Sequence, residues 1–208
     1  MSTLVQIPPP RTSLKTLPLD QTRGIQAVYA TICTEATLFL CMFGAYYYLG
    51  NNKDRWAIEK PPELVYPFVL LAILLGSSAV IHWGEKQIEK GRPGAARTAL
   101  WFTVLLGLVF LVLQGFEYAA EWAHLTPDTD SYGSIFYTIT TLHAAHVIAG
   151  VLLLAYVGFQ PNYGFARRSP HMPYQVAARY WHFVDFVWVF IVGLLYVAPH
   201  FLAHGHVH

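Results

Sequence analysis

Three features of this 208-residue chain predict an all-α membrane protein, a bundle of five transmembrane helices. Five stretches are each apolar for about the 20 residues that a helix needs to cross a hydrocarbon layer. Apolar and aromatic residues make up 55% of the chain, and the 12% that are charged fall almost entirely between those stretches, which leaves no soluble core. Proline- and glycine-rich breakers separate several of the stretches and imply short connections.

The first span is expected over Ala27 to Leu49 and the second over Leu64 to His82, opened by Pro61-Pro62. The third, Ala99 to Glu121, follows the turn Gly91-Arg92-Pro93-Gly94. The fourth runs from Ser134 to Gly158, and the fifth from Val176 to Ala198 after Ser169-Pro170-His171-Met172-Pro173. The expected organisation is an N-terminal arm over 1–26, a five-helix domain over 27–202 and a His-rich tail over 203–208. The arm, with Pro8-Pro9-Pro10 and no apolar run, does not read as a cleaved signal peptide.

Lys and Arg sort by side. Arg11, Lys15 and Arg23 precede the first span; Lys86, Lys90, Arg92 and Arg97 lie between the second and third; Arg167, Arg168 and Arg179 precede or open the fifth. Only Lys53, Arg55 and Lys60 occupy the alternate loops. By the positive-inside tendency the N terminus is cytoplasmic and five crossings leave the C terminus outside. The net charge of +1, with no basic patch carrying interleaved aromatics, excludes a nucleic-acid partner. Cys33 and Cys41 lie about 12 Å apart along one helix, beyond disulfide reach, and read as packing residues.

Polar side chains inside the spans are the functional candidates, because they are costly in lipid unless they face protein. Glu35 lies in the first span with no basic residue on its own helix to pair it, the pattern of a proton-linked or interface carboxylate. His182 and Asp185 sit one turn apart on the fifth span, at a depth similar to Glu35, so an inner tier of Glu35, His182 and Asp185 is expected. An outer tier would join Glu117 to His143, which shares a face with His146 and Gly150. Gly107, Gly115 and Gly150 read as close-packing positions, and Trp83, Trp101, Trp122 and Tyr132 as interfacial aromatic belts.

No full metal-ligand set occurs. His82, His143, His146 and His182 are the histidines in or beside spans, and His143 and His146, a turn apart on one helix, cannot hold one haem from opposite faces. The expectation is no metal and no cofactor in this chain. The tail histidines His200, His204, His206 and His208 read as a solvated terminus. Two other classes compete for the same residues: a membrane-anchor cytochrome with an intramembrane haem, and a transporter using Glu35 and Asp185 as proton carriers. The lack of inverted repeats or paired broken spans disfavours the transporter.

Five segments, in order, resemble subunit III of the haem-copper cytochrome c oxidases. Thr34-Glu35-Ala36-Thr37-Leu38-Phe39 resembles the family's Ser-Glu-x-x-x-Phe; Leu75-Gly76-Ser77-Ser78 with Trp83 fits the next helix; Leu113-Gln114-Gly115-Phe116-Glu117-Tyr118 fits Gln-x-x-Glu-Tyr. His143-Ala144-Ala145-His146-Val147-Ile148-Ala149-Gly150 fits His-x-x-His-Val-x-x-Gly, and Tyr180-Trp181-His182-Phe183-Val184-Asp185 leans toward the cytochrome c branch rather than the quinol oxidases. The resemblance implies a non-catalytic subunit without a redox centre. It would pack on subunit I beside subunit II, with haem and copper in those partners, and would sustain proton uptake and complex stability with bound phospholipid. Glu35 matches the family's buried carboxylate near the subunit I interface. Arg179, with Arg167 and Arg168, is a candidate for lipid phosphate by charge.

Mitochondrial-type members have seven spans, and this chain resembles them from the third onward. The expectation is therefore a five-span bacterial form in the plasma membrane, with extra helices of subunit I filling the place of the first two.

Overall fold

The computed structural model describes residues 19–51, 63–122, 125–127, 131–160 and 172–200. Among these residues the secondary structure is entirely helical: α1 Leu19–Gly50, α2 Val65–Glu89, α3 Pro93–Glu121, α4 Ser131–Phe159 and α5 Met172–Ile191. A π-helical segment, Val192–Val197, carries α5 on to His200. All five helices are long and apolar enough to cross a membrane, and the chain is a multi-pass membrane protein. The helices overrun the expected spans at the charged ends. α1 begins at Leu19 rather than Ala27, and α2 continues to Glu89 rather than His82, because a helix need not stop where the hydrocarbon does.

The turn between α2 and α3 follows from its residues. Gly91 adopts a φ of 71°, where a side chain is strained, and the amides of Gly91 and Arg92 bond back to the carbonyls of Ile88 and Gln87 at 2.9 Å. Pro93 then opens α3 at a position whose amide has no helical partner.

α2 packs on α3, α3 on α4 and α4 on α5, while α5 also lies against α1 and α2, and α1 against α4. The pivot is Trp181, fully buried. A Cβ on Gly107 of α3 would stand 2.7 Å from its ring, and one on Gly150 of α4 would stand 2.8 Å from it. Its Nε1 donates to the Ser77 hydroxyl of α2 at 2.8 Å. One indole thus joins four helices, and it fits only because two glycines clear its faces. Gly115 differs from the expectation: nothing lies within 4 Å of a Cβ there, so it faces outward and packs no helix of this chain.

Tyr132 is a second correction. It is not a belt residue but is buried at 1% exposure, its hydroxyl donating to the Leu195 carbonyl at 2.6 Å. Leu195 lies in the π-helical segment, and the phenol supplies that carbonyl with a donor from another helix. Trp83 and Trp122 are about half exposed, and Trp101 sits edge-on to Phe159 at 4.8 Å.

Candidate functional site: polar layers inside the bundle

Glu35 finds its partner on α4, not on α5. Its Oε2 lies 2.9 Å from His146 Nε2, and the two side chains are 31% and 12% exposed. His146 Nδ1 bonds the Leu142 carbonyl at 2.7 Å. A carbonyl only accepts, so Nδ1 carries hydrogen, and the contact between Nε2 and Glu35 therefore holds one proton that either group can own. Phe39, one turn along α1, packs edge-on to the His146 ring at 5.0 Å and covers the pair from one side. The hydroxyls of Thr31, Thr34 and Thr37 bond back to α1 carbonyls, which leaves His146 as the polar partner of Glu35.

The expected inner tier is therefore split. His182 does not join the Glu35 pair; its Nδ1 bonds the Ser78 hydroxyl of α2 at 2.5 Å. The His182 ring meets His82 edge-on, centroids 6.5 Å apart, and His82 Nδ1 is 3.9 Å from Glu85 Oε2. Asp185, one turn further along α5, is buried at 3% exposure. Ser78 is its polar neighbour, yet among the described residues neither carboxyl oxygen has a hydrogen bond of normal geometry. The split has a simple cause: α5 presents His182 toward α2 while α1 turns Glu35 toward α4.

The outer pair is also redrawn. Gln114 Nε2 donates to Glu117 Oε2 at 2.6 Å on α3, and the Tyr196 phenol stands beside the same carboxyl group. His143 is not hydrogen-bonded to Glu117. It is fully buried, with neither ring nitrogen partnered among the described residues, stacked on Trp188 at 4.9 Å and edge-on to Phe110 at 5.9 Å. His143 is thus an imidazole in an aromatic box, and Glu117, Gln114 and Tyr196 form a separate cluster at the π-helical end of α5. Ser77, Ser78, Gln114 and Tyr196 join the site beyond the residues the sequence singles out; the adjacent mid-span serines and the Gln-x-x-Glu-Tyr motif carry a signal for all but Tyr196.

Arg179 is half-buried near the start of α5. Its guanidinium lies over the Tyr29 ring at 5.9 Å, and its buried Nη1 has no hydrogen-bond partner among the described residues. Arg167, Arg168 and the tail over 203–208 lie outside the described residues. Among the described residues no cluster of three or more His, Cys, Asp or Glu side chains could hold a metal ion. Cys33 and Cys41 are free and exposed.

Residues 20–200 match the family model described as cytochrome c oxidase subunit III, which takes in nearly the whole of all five helices. A cytochrome c oxidase subunit 3 of Arabidopsis thaliana is 35% identical over 173 residues, covering 79% of this chain and 64% of the relative. That of the cyanobacterium Thermostichus vulcanus is 33% identical over 172 residues, covering 82% of this chain and 85% of the relative. The one from Synechocystis is 33% identical over 169 residues, with 80% and 72% covered. The chain thus spans under two thirds of the plant protein's length and most of the cyanobacterial ones, and it belongs to the cytochrome c oxidase subunit III family.

Proposed function

We propose that this chain is the non-catalytic subunit III of a haem-copper terminal oxidase fed by cytochrome c, in a bacterial plasma membrane. It packs on subunit I, in a complex with subunit II, and the haem and copper belong to those partners. Its N terminus lies on the cytoplasmic side, as the placement of Lys and Arg favours. With bound phospholipid it stabilises the complex and sustains proton uptake. The observation that carries the reading is the family match over residues 20–200.

Two features of the site support the finer roles. The Glu35–His146 pair holds one exchangeable proton on a partly accessible face of α1 and α4. Beside an uptake site, moving that proton from one group to the other reorients a dipole and biases proton affinity by about a kcal/mol. The unpaired Nη1 of Arg179 is a donor suited to a lipid phosphate at the end of the bundle where α1 and α5 begin.

The test is a mild-detergent pull-down through this chain from its native membrane, with reduced-minus-oxidised spectra and mass spectrometry of the partners. Haem signals that travel with a co-purifying catalytic subunit, and are absent from the separated chain, support the reading. Haem retained by the separated chain overturns it in favour of a membrane-anchor cytochrome. A co-purifying quinol-oxidising catalytic subunit would move the chain to the quinol branch.

A further inference from the structure

Away from the Glu35–His146 pair, α2 and α5 bring a line of polar groups from the bundle surface to its interior. Glu85 and His82 lie one turn apart on α2, 3.9 Å from Oε2 to Nδ1, and the His82 side chain is 56% exposed. The His82 and His182 rings follow, edge-on with 6.5 Å between centroids. His182 Nδ1 then shares a 2.5 Å hydrogen bond with Ser78. The line ends at Asp185, buried, with Ser78 beside it and neither oxygen satisfied.

We infer that Asp185 is a buried acid that exchanges its proton with the bundle surface through Ser78, His182, His82 and Glu85, a second proton-handling site separate from Glu35. A carboxylate left ionised there, without a donor, is costly in a membrane interior, whereas a group that takes and releases a proton needs a path, and these side chains stand in line toward the surface. The path exists because Ser78 has one hydroxyl hydrogen and two acceptor lone pairs, so it can bond His182 and Asp185 together. Its neighbour cannot substitute, since the Ser77 hydroxyl already donates to the Leu74 carbonyl and accepts from Trp181.

The transfer balances without any added reactant. The Asp185 carboxyl hydrogen passes to Ser78 Oγ as the Ser78 hydrogen passes to His182 Nδ1, and His182 releases the hydrogen on Nε2 toward His82 and solvent base. One proton leaves, Ser78 is regenerated, and the imidazole returns to its first tautomer when its ring turns or when the path runs in reverse. Several other titratable groups on elements packed against α5 are engaged elsewhere. Glu35 of α1 and His146 of α4 bond each other, and His143 of α4 stacks on Trp188. The inference concerns this chain's own proton exchange and does not depend on the oxidase reading.

The experiment is infrared spectroscopy of the full chain in lipid, in its complex where one co-purifies, following the carboxylic C=O stretch through a switch to D2O. Asp185→Asn assigns the band, and circular dichroism checks the fold of each variant. We expect a band lost in Asp185→Asn whose deuteration slows by about a hundredfold, the low end for a positioned proton-transfer group, in His182→Phe. His182→Asn, which can keep the Ser78 bond but cannot relay a proton, should slow it as much, and Glu35→Gln should leave it unchanged. Unaltered exchange in His182→Phe, full rescue by His182→Asn, or no Asp185 band at any pH would each overturn the relay.

Discussion

His146 Nε2 lies 2.9 Å from Glu35 Oε2, and because the other ring nitrogen donates to the Leu142 carbonyl, the two side chains hold a single proton between them. This joins α1 to α4, on a helix that otherwise buries little of its surface in the chain. Crossed pairs of this kind inside membranes contribute about 0.6–1.7 kcal/mol. A double-mutant cycle with Glu35→Gln and His146→Phe, read by thermal unfolding in detergent, should return a coupling in that range; additive single effects would mean the pair is not formed.

Trp181 leaves no room at Gly107 or Gly150. Gly150→Ala should destabilise by about 1–3 kcal/mol through overpacking. Gly115→Ala, with open space at its Cβ, should be neutral or raise stability by up to about 1 kcal/mol from helix propensity. Tryptophan fluorescence during unfolding separates the two, and equal effects would contradict the packing described.

Tyr132→Phe removes the donor that satisfies Leu195 in the π-helical segment. The expected cost is about 0.5–1.5 kcal/mol for one buried hydrogen bond lost. Hydrogen exchange over 192–197 should accelerate while exchange in α2 does not, and uniform acceleration would point to a global effect instead.

Arg179→Gln should reduce the phospholipid that stays with the purified protein, counted by native mass spectrometry, while Arg179→Lys keeps part of it as a point charge without a forked donor. Unchanged lipid counts in Arg179→Gln would remove Arg179 from lipid binding.

The five spans were legible because the length and apolarity that a bilayer demands are written residue by residue. Individual polar candidates were legible for the same reason, since Glu35 and Asp185 stand out against apolar runs. Their partners were not. Whether Glu35 turns to His146 or to His182 depends on the rotation of α1 about its axis, and α4 is apolar on every side, so no stripe reveals which face meets which helix. His143 and His146, adjacent on one face by spacing, part company for that reason: one enters an aromatic box and the other meets a carboxylate. Tyr132 looked interfacial because it lies near a helix start, and the π-helical turn across from it, with Tyr46 and Phe136, accounts for its burial. Glycine positions divided likewise, Gly107 and Gly150 meeting Trp181 while Gly115 faces outward, a difference that composition alone does not carry.

The most direct test of the oxidase reading compares the purified complex with and without this chain, recording haem and copper spectra together with the rate of proton uptake during turnover. The account predicts intact spectra, continued electron transfer, and slower proton delivery with faster inactivation in the stripped complex. Outright loss of the haem or copper signals on removing the chain, or proton uptake unchanged by its removal, would contradict it.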